Sequence, residues 1–306
     1  MAGAPIDSAG RTALGGARRL LGHPYLLHLR LNFNLLLAPV YLYGVVTAGG
    51  RVAEARFWLG FLSLHLFLYG GTTAFNSYYD RDEGPIGGLL KPPPVDLGLL
   101  RFSLVVQALG LVPAALLGPE FFLAWLALFL VFTAYSHPLA RLKARPSSAL
   151  AAIALGQGAL GFALGWLAVS PDILPLTAPA LLGMASTALV VTGLYLISQS
   201  YQVHEDRQRG DVTIPVLLGA RGALLVALLP LAAGGLLLAW QLALPLGPAW
   251  LLALLLFFAG LAAWLVGWAL RLDETAVERN YAVTMRFLSV ASGGLTLVLL
   301  LRLVVG

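Results

Sequence analysis

Amide and carboxylate side chains occur together at two places in this sequence, each time where an apolar segment ends. Asn76 and Asp80 are four residues apart at the first place, and Gln202 and Asp206 have the same spacing at the second. Residues four apart lie on one face of an α-helix, so each segment should present an amide and a carboxylate side by side. Half of the chain's 14 acidic residues lie in these two regions: Asp80, Asp82, Glu83, Asp96, Glu205, Asp206 and Asp211.

Oxygen-rich clusters of this kind suit a magnesium ion and a phosphorylated substrate. Mg²⁺ prefers hard oxygen ligands and commonly combines one or two carboxylates with phosphate oxygens of the substrate. Two clusters that face one another are therefore predicted to hold Mg²⁺ against a diphosphate, with basic side chains neutralising the remaining charge. The predicted metal ligands are Asp80, Asp82, Glu83, Glu205 and Asp206. The predicted diphosphate-binding residues are Asn76, Lys91, Arg141, Lys143, Gln202 and Arg207, with Arg209 close by.

The elements that position these residues are expected to be membrane helices. Hydrophobic residues make up 59% of the 306 residues and charged residues 11%, and the mean hydropathy is +0.86. A soluble domain is about a quarter charged, and one ordinary core could not bury this much apolar surface. The chain has no cysteine, which excludes disulfides, iron–sulfur clusters, thiolate zinc sites and a cysteine nucleophile.

Stretches without Asp, Glu, Lys or Arg predict nine transmembrane helices in an all-α, polytopic membrane protein. A spanning helix needs about 20 apolar residues. The longest stretch has room for two spans, separated by the turn-forming sequence Pro245–Pro248. The predicted spans are Leu31–Gly50, Phe57–Tyr79, Phe102–Pro119, Phe121–Ala140, Pro146–Pro171, Ile173–His204, two within Gly222–Leu270, and Phe287–Leu301. Residues 1–27 are predicted to form an N-terminal lead, and residues 28–306 a single transmembrane domain.

The distribution of basic residues predicts the orientation. With nine spans and a cytoplasmic N-terminus, 16 of the 19 basic residues fall in the lead and in the loops after helices 2, 4, 6 and 8. Basic residues accumulate in cytoplasmic loops, which also explains the net charge of +5 without a nucleic-acid partner. We therefore expect a protein of a bacterial or archaeal cytoplasmic membrane, with both acidic regions inside and the C-terminus outside. The lead and the start of helix 1 contribute Arg11, Arg18, Arg19 and Arg30.

Solvated acids at helix ends are the alternative interpretation of the two regions. Isolated acids of that kind are common and carry no ligand. An amide inside a membrane span needs a partner, however, and two amide–carboxylate pairs at the same membrane face favour a functional site.

Three motifs connect these residues to a known family. Asn76 and Asp80 match the first two positions of an Asn-x-x-x-Asp-x-x-x-Asp motif after helix 2, and Asp206 matches the last acid of an Asp-x-x-x-Asp motif after helix 6. Residues 135–146 have the form Tyr-Ser-x-Pro-x-x-Arg-x-Lys after helix 4. Over essentially its whole length the chain resembles the UbiA superfamily of intramembrane prenyltransferases.

The resemblance implies a fold and a reaction. The fold is a bundle of nine transmembrane helices around a central cavity. The reaction is Mg²⁺-dependent transfer of an isoprenyl group from a prenyl diphosphate to a lipophilic, commonly aromatic acceptor of the quinone-precursor type. The catalytic residues that it implies are Asp80, Asp206 and Tyr135, and aromatic faces such as those of Tyr78, Tyr79, Tyr135 and Tyr201 can steady an allylic cation.

The sequence departs from the family's motifs at two positions. Gly84 stands where the first motif ends in an aspartate, and Gln202 stands where the second motif begins with one. These departures keep a terpene cyclase or an enzyme that modifies a carotenoid or another isoprenoid as an alternative. A non-catalytic lipid-binding relative or a transporter is the third possibility, although transporters place ionisable residues near the middle of the membrane.

Overall fold

The computed structural model describes residues 22–170 and 176–305, which form helices and connecting loops. Within these ranges the extended pairing is limited to one isolated antiparallel bridge between Ile86 and Leu89. Most of the predicted lead, with Arg11, Arg18 and Arg19, lies outside the described residues. The predicted junction between helices 5 and 6 falls on residues 171–175 and lies outside them as well.

We number the helices in chain order. Prolines open several of them at the first turn, where the missing N–H leaves no hydrogen bond unmade. The helices are α1 Pro24–Thr47, α2 residues 55–80, α3 Leu97–Leu117, α4 Pro119–Ser136, α5 Pro146–Val169, α6 Ala178–Ser198, α7 Val203–Arg209, α8 Ile214–Leu246, α9 Pro248–Leu270 and α10 Val277–Val305.

Eight of these helices are long and apolar enough to cross a membrane, and the chain is an integral membrane protein of all-α class. The predicted count of nine is one higher than this number, and the difference is α2. Residues 55–80 are helical throughout but consist of three shorter segments, Ala55–Leu62, a π-helix Ser63–Tyr69, and Gly70–Asp80. This region also contains His65 and Asn76, so its composition is less apolar than that of the other helices.

Two predicted boundaries are wrong for physical reasons. Helix 6 was expected to continue to His204, but α6 ends at Ser198 and a separate short helix, α7, begins at Val203. The last helix was expected to start at Phe287, but α10 starts at Val277. The last helix was predicted too short because charged residues mark where a helix leaves the apolar layer rather than where its hydrogen bonding ends. Helix 6 was predicted too long because its chain turns at residues 199–202, which carry no charge.

Lipid-facing and protein-facing surfaces of the bundle are clearly different. Leu116, Leu229 and Leu256 are 69%, 77% and 63% exposed, as expected of side chains that contact lipid rather than water. Inside the bundle, α1 and α5 cross closely at Gly44 and Gly165, where a Cβ on either glycine would overlap the backbone of the other helix. Small residues permit such close crossings in membrane proteins.

Candidate active site

Four loops meet at one end of the bundle, which we call the polar end. They are the loops after α2, α4, α6 and α9, the same four that the charge distribution assigns to one membrane face. Contacts between them are direct: Gly84 N to Glu205 Oε1 at 2.8 Å, Val212 N to Ala144 O at 3.0 Å, and Ala220 N to Glu274 Oε1 at 3.0 Å.

The first motif is joined to the loop after α4 by a buried ion pair. Asn76 and Asp80 lie on one face of α2, and Asn76 Nδ2 donates to Asp80 Oδ2 at 2.8 Å. The same nitrogen is 3.1 Å from Ser136 Oγ at the end of α4. Lys143 Nζ pairs with Asp80 Oδ1, and the two side chains are 10% and 6% exposed. A carboxylate buried this far needs such a partner, because an unpaired buried charge is strongly destabilising.

A second ion pair connects the first motif to the second. Asp82 Oδ1 lies 2.5 Å from Arg209 Nη2, and the Asp82 side chain is 5% exposed. Arg209 Nη2 is also 3.5 Å from Glu205 Oε2, one turn earlier on α7. Arg209 therefore lies between a carboxylate from each motif.

Asp206 is the buried acid of α7. It is 9% exposed, and Thr213 Oγ1 donates to its Oδ2 at 3.1 Å. Burial raises the pKa of Asp206 to about 6, although the nearby Arg209 and the Thr213 hydrogen bond favour the ionised form. Asp206 therefore carries a proton at a pH where an ordinary aspartate is ionised, and a cation placed beside it would favour the carboxylate.

Arg141 has a structural partner. Its Nε and Nη2 donate to the two carboxylate oxygens of Asp211 at 3.0 and 2.9 Å. This bidentate geometry is strong and directional, and it joins the loop after α4 to the segment after α7. The predicted role of Arg141 in binding diphosphate would require the residue to leave this pair.

A hydrogen-bonded chain continues inward from the motifs. Tyr135 Oη, at the end of α4, donates to Tyr195 Oη on α6 at 3.0 Å. Gln199 Nε2 donates to the same Tyr195 oxygen at 2.7 Å. These contacts fix the orientation of the Tyr135 ring.

A cavity of about 210 Å³ opens between these groups. Its polar part is lined by acids and cations, and its inner part by apolar and aromatic side chains. The polar lining comprises Arg30, Asn76, Asp80, Asp82, Lys143, Gln202, Asp206, Arg209 and Asp211. The inner lining includes Leu36, Leu37, Tyr69, Phe132, Tyr135, Ile153, Val191, Leu194 and Leu288. Two π-helical segments, Ser63–Tyr69 and Ala154–Leu160, bring Tyr69 and Gln157 to this wall. Such irregular turns are frequent at functional sites.

The remaining predicted residues lie around the cavity without lining it. Lys91 and Arg207 are exposed at the polar end, and so is Glu83. Glu205 is half-buried and points to the backbone of the loop after α2. Around this cavity, and elsewhere within 22–170 and 176–305, no three His, Asp or Glu side chains converge as metal ligands.

Arg30 is a cavity residue that sequence reasoning missed, since it was counted only as a marker of orientation. It is 7% exposed and has left-handed backbone angles, φ 46° and ψ 43°, at the break within α1. Its Nη2 donates to Thr73 O at 3.0 Å and to Asn76 Oδ1 at 3.2 Å. It has no salt bridge to any carboxylate in the described part of the chain, and its Nε has no hydrogen-bond partner there. The one signal in the sequence for a role of Arg30 at the cavity was its position among other polar residues at the start of helix 1.

This arrangement can receive an elongated ligand with an anionic head and an apolar tail. Three cations, Arg30, Lys143 and Arg209, surround the polar part of the cavity. Oxygen donors from both motifs lie beside them, and the inner wall offers no formal charge.

The sequence matches the UbiA prenyltransferase family over residues 36–291. Protoheme IX farnesyltransferase of Archaeoglobus fulgidus is 30% identical over 202 residues, which cover 62% of this chain and 66% of that protein, just under two thirds of its length.

Solved structures share the fold. A UbiA homolog from Archaeoglobus fulgidus bound to GPP and Mg²⁺ superposes with a TM-score of 0.59 at 20% identity, covering 89% of this chain and 98% of that one. The apo structure of a UbiA homolog from Aeropyrum pernix K1 gives a TM-score of 0.62 at 22% identity, covering 88% and 98%. The family match extends over most of the chain, through all the motifs that form the cavity. The chain belongs to the UbiA prenyltransferase family.

Proposed function

We propose that the protein transfers a prenyl group from a prenyl diphosphate to a lipophilic acceptor. One observation carries the proposal: a single cavity is lined by acids of both motifs and by three cations at one end, and by apolar side chains at the other. A prenyl diphosphate has the same division between a charged head and an apolar tail. Membership of the family and the named activity of the Archaeoglobus fulgidus relative support the reaction type.

The cations of the chain would bind the diphosphate and stabilise its departure. Lys143 and Arg209 are held at the cavity by Asp80 and Asp82, and Arg30 has no carboxylate partner among the residues that the structure describes. Donors fixed in a cavity sheltered from water stabilise the charge that develops on a leaving group without reorganising first.

The donor set also fits Mg²⁺. Asp80, Asp82 and Asp206 line the cavity as carboxylates, and Asn76 and Gln202 add amide oxygens, all of them hard ligands of the kind that magnesium prefers. When bound there, Mg²⁺ would supply positive charge against the diphosphate oxygens. Asp80 and Asp82 are now paired with Lys143 and Arg209, so binding would require that these two cations move from the carboxylates to the phosphate oxygens.

The bonds that break and form are those of the carbon that joins the prenyl tail to the diphosphate. The C–O bond of the donor breaks, and the electron pair leaves with the diphosphate. The allylic cation would form next to Tyr135, Phe132 and Tyr69, whose rings line the cavity and can stabilise a cation through their π faces. A carbon of the acceptor attacks, a C–C bond forms, and an aromatic acceptor then loses one proton. An apolar wall keeps water from intercepting the cation.

The acceptor is proposed to be aromatic and lipophilic. A quinone precursor is one candidate of this chemistry, and haem is a second, because the Archaeoglobus fulgidus relative is named for protoheme IX. The test is incubation of purified protein with GPP or longer donors, Mg²⁺ and each acceptor, followed by mass spectrometry. With an aromatic ring as acceptor, the expected product has the acceptor mass plus one prenyl group minus one hydrogen. Attack by a vinyl side chain of haem would leave a cation on that side chain, which either loses a proton or adds water, so for haem a product heavier by one water is also diagnostic of transfer. A product that contains no acceptor would favour cyclisation instead, and failure to consume or bind any prenyl diphosphate would overturn the proposal.

A further inference from the structure

One of the two departures from the family's motifs, Gly84, takes part in an unusual contact at the polar end. Gly84 occupies the last position of the first motif, and Glu205 precedes Asp206 in the second. A Cβ built on Gly84 would lie 3.1 Å from Glu205 Oε1 and 3.2 Å from Glu205 Cδ. Both distances are tighter than ordinary van der Waals contact. A side chain at position 84 would therefore press against the Glu205 carboxylate and displace it by a few tenths of an ångström.

Glu205 holds the backbone of the loop directly. Its Oε1 accepts from Gly84 N at 2.8 Å and from Glu83 N at 3.2 Å. Two N–H groups that converge on one carboxylate oxygen form charge-assisted hydrogen bonds, which are stronger than neutral ones. The loop after α2 is thus fixed to α7 by a side chain from the other motif.

The same carboxylate also acts through Arg209. Glu205 Oε2 is 3.5 Å from Arg209 Nη2, which is 2.5 Å from Asp82 Oδ1. Arg209 Nη1 additionally donates to the backbone oxygen of Asp80 at 3.4 Å. The guanidinium is therefore placed by acids on both sides, and its position at the cavity depends on Glu205 as well as on Asp82.

We propose that Glu205 is a positioning residue that takes over from the acid missing at position 84. Its carboxylate holds residues 82–84 and orients Arg209 between the two motifs, and the absence of a side chain at 84 lets the carboxylate approach the loop this closely. An acid at 84 and an acid at 205 compete in this chain, because a Cβ at 84 would push the Glu205 carboxylate away and a second carboxylate there would repel it. The expected effect on donor binding rests on the proposed function, whereas the contact between Gly84 and Glu205 does not.

The test is a double-mutant cycle with Gly84→Asp, Glu205→Ala and the two combined. Thermal unfolding midpoints in detergent without ligand measure the contact, and the dissociation constant for GPP with Mg²⁺, in the absence of acceptor, measures its effect on the site. We expect each single substitution to lower the midpoint and to weaken GPP binding about tenfold, the loss that corresponds to one charge-assisted hydrogen bond. In the double variant, Gly84→Asp should be less harmful than in the wild-type background, and part of the GPP affinity should return.

Two further variants keep the result interpretable. Glu205→Gln retains an acceptor for the loop N–H groups but loses the charge that faces Arg209, so its effect on the midpoint and on GPP affinity should be intermediate. If Glu205→Ala does not fold, Glu205→Gln replaces it in the cycle. Glu278→Gln alters an exposed acid on α10 and should behave as wild type.

Strictly additive effects of the two substitutions, or an unchanged midpoint and GPP affinity in Glu205→Ala, would overturn the positioning role. If no variant and not even the wild type binds GPP, the proposed function fails, while the unfolding midpoints still decide whether Gly84 and Glu205 are coupled.

Discussion

At the scale of residues, the charges at the cavity are already largely neutralised by the chain itself. Among the described residues, Asp80, Asp82 and Asp211 each pair with a cation, whereas Asp206 has a hydrogen bond but no salt bridge. A diphosphate that binds here would therefore exchange partners with these pairs. Arg30 is the cavity cation that is free for a ligand without such an exchange.

Arg30→Gln should weaken binding of the donor more than it weakens the fold. Within 22–170 and 176–305, the guanidinium donates only to Thr73 and Asn76, and it reaches the cavity. We therefore expect the dissociation constant for GPP to rise roughly 10- to 100-fold, the range for one lost charged hydrogen bond to a buried ligand. Arg145→Gln, at an exposed arginine of the same end, is the matched control. An equal, small effect of both substitutions would show that Arg30 does not contact the donor.

The raised pKa of Asp206 predicts a pH-dependent stability. The folded chain holds this proton up to about pH 6, whereas the unfolded chain releases it near the ordinary value of 3.8. The free energy of unfolding therefore falls as the pH rises through this window.

Asp206→Asn removes the titrating carboxyl group and leaves an oxygen acceptor for Thr213. It should therefore abolish the fall in the free energy of unfolding between about pH 4 and pH 6. We expect the variant to be more stable than wild type by up to about 3 kcal/mol at pH 7, with the difference disappearing below about pH 4, and to bind GPP with Mg²⁺ more weakly. Thermal unfolding from pH 4 to 8 measures the first effect. A stability difference that does not change with pH would contradict the assignment.

At the scale of elements, the apolar stretches and their breaks were sufficient to predict most of the helices. Pro245–Pro248 separates α8 from α9 as expected, and the spacing of Asn76 and Asp80 places both on one face of α2. Spacing could not predict that α6 ends at Ser198, because the turn before α7 depends on contacts with other loops.

The sequence also could not predict which basic and acidic residues form ion pairs. Lys143 and Arg141 were assigned one common role, yet Lys143 pairs with Asp80 at the cavity and Arg141 with Asp211 beside it. Which cation meets which acid depends on how three loops converge. The two π-helices have no sequence signal comparable to a capping residue or a proline.

The Arg141–Asp211 pair should act on stability. Breaking one partner of a well-aligned, partly buried pair costs about 2–4 kcal/mol, so Arg141→Ala and Asp211→Ala should each lower the unfolding midpoint, and the double variant should be little worse than either. The cycle is measured by thermal unfolding, with GPP affinity as a second readout. Additive losses would mean that the two side chains act independently.

At the scale of the whole molecule, a belt of exposed leucines surrounds a bundle whose loops after α2, α4, α6 and α9 meet at one end. The positive-inside distribution predicts that this end faces the cytoplasm. Since the chain has no cysteine, single introduced cysteines report accessibility without background.

Leu139→Cys lies in the loop after α4 at the polar end, and Ala249→Cys lies at the opposite end, at the start of α9. In intact cells, a membrane-impermeant thiol reagent should label Ala249→Cys and not Leu139→Cys, and permeabilisation should expose the latter. The reverse pattern would place the polar end outside.

The central claim is that both motifs form one site for a prenyl diphosphate and Mg²⁺, and equilibrium binding of GPP tests it most directly. Wild type is expected to bind GPP at least about tenfold more tightly with Mg²⁺ than without, a difference of about 1.4 kcal/mol. Asp80→Asn and Asp206→Asn, one from each motif, should each lose this gain, while Glu278→Gln keeps it. GPP affinity that does not respond to Mg²⁺ in wild type, or a gain that survives both substitutions, would contradict the claim.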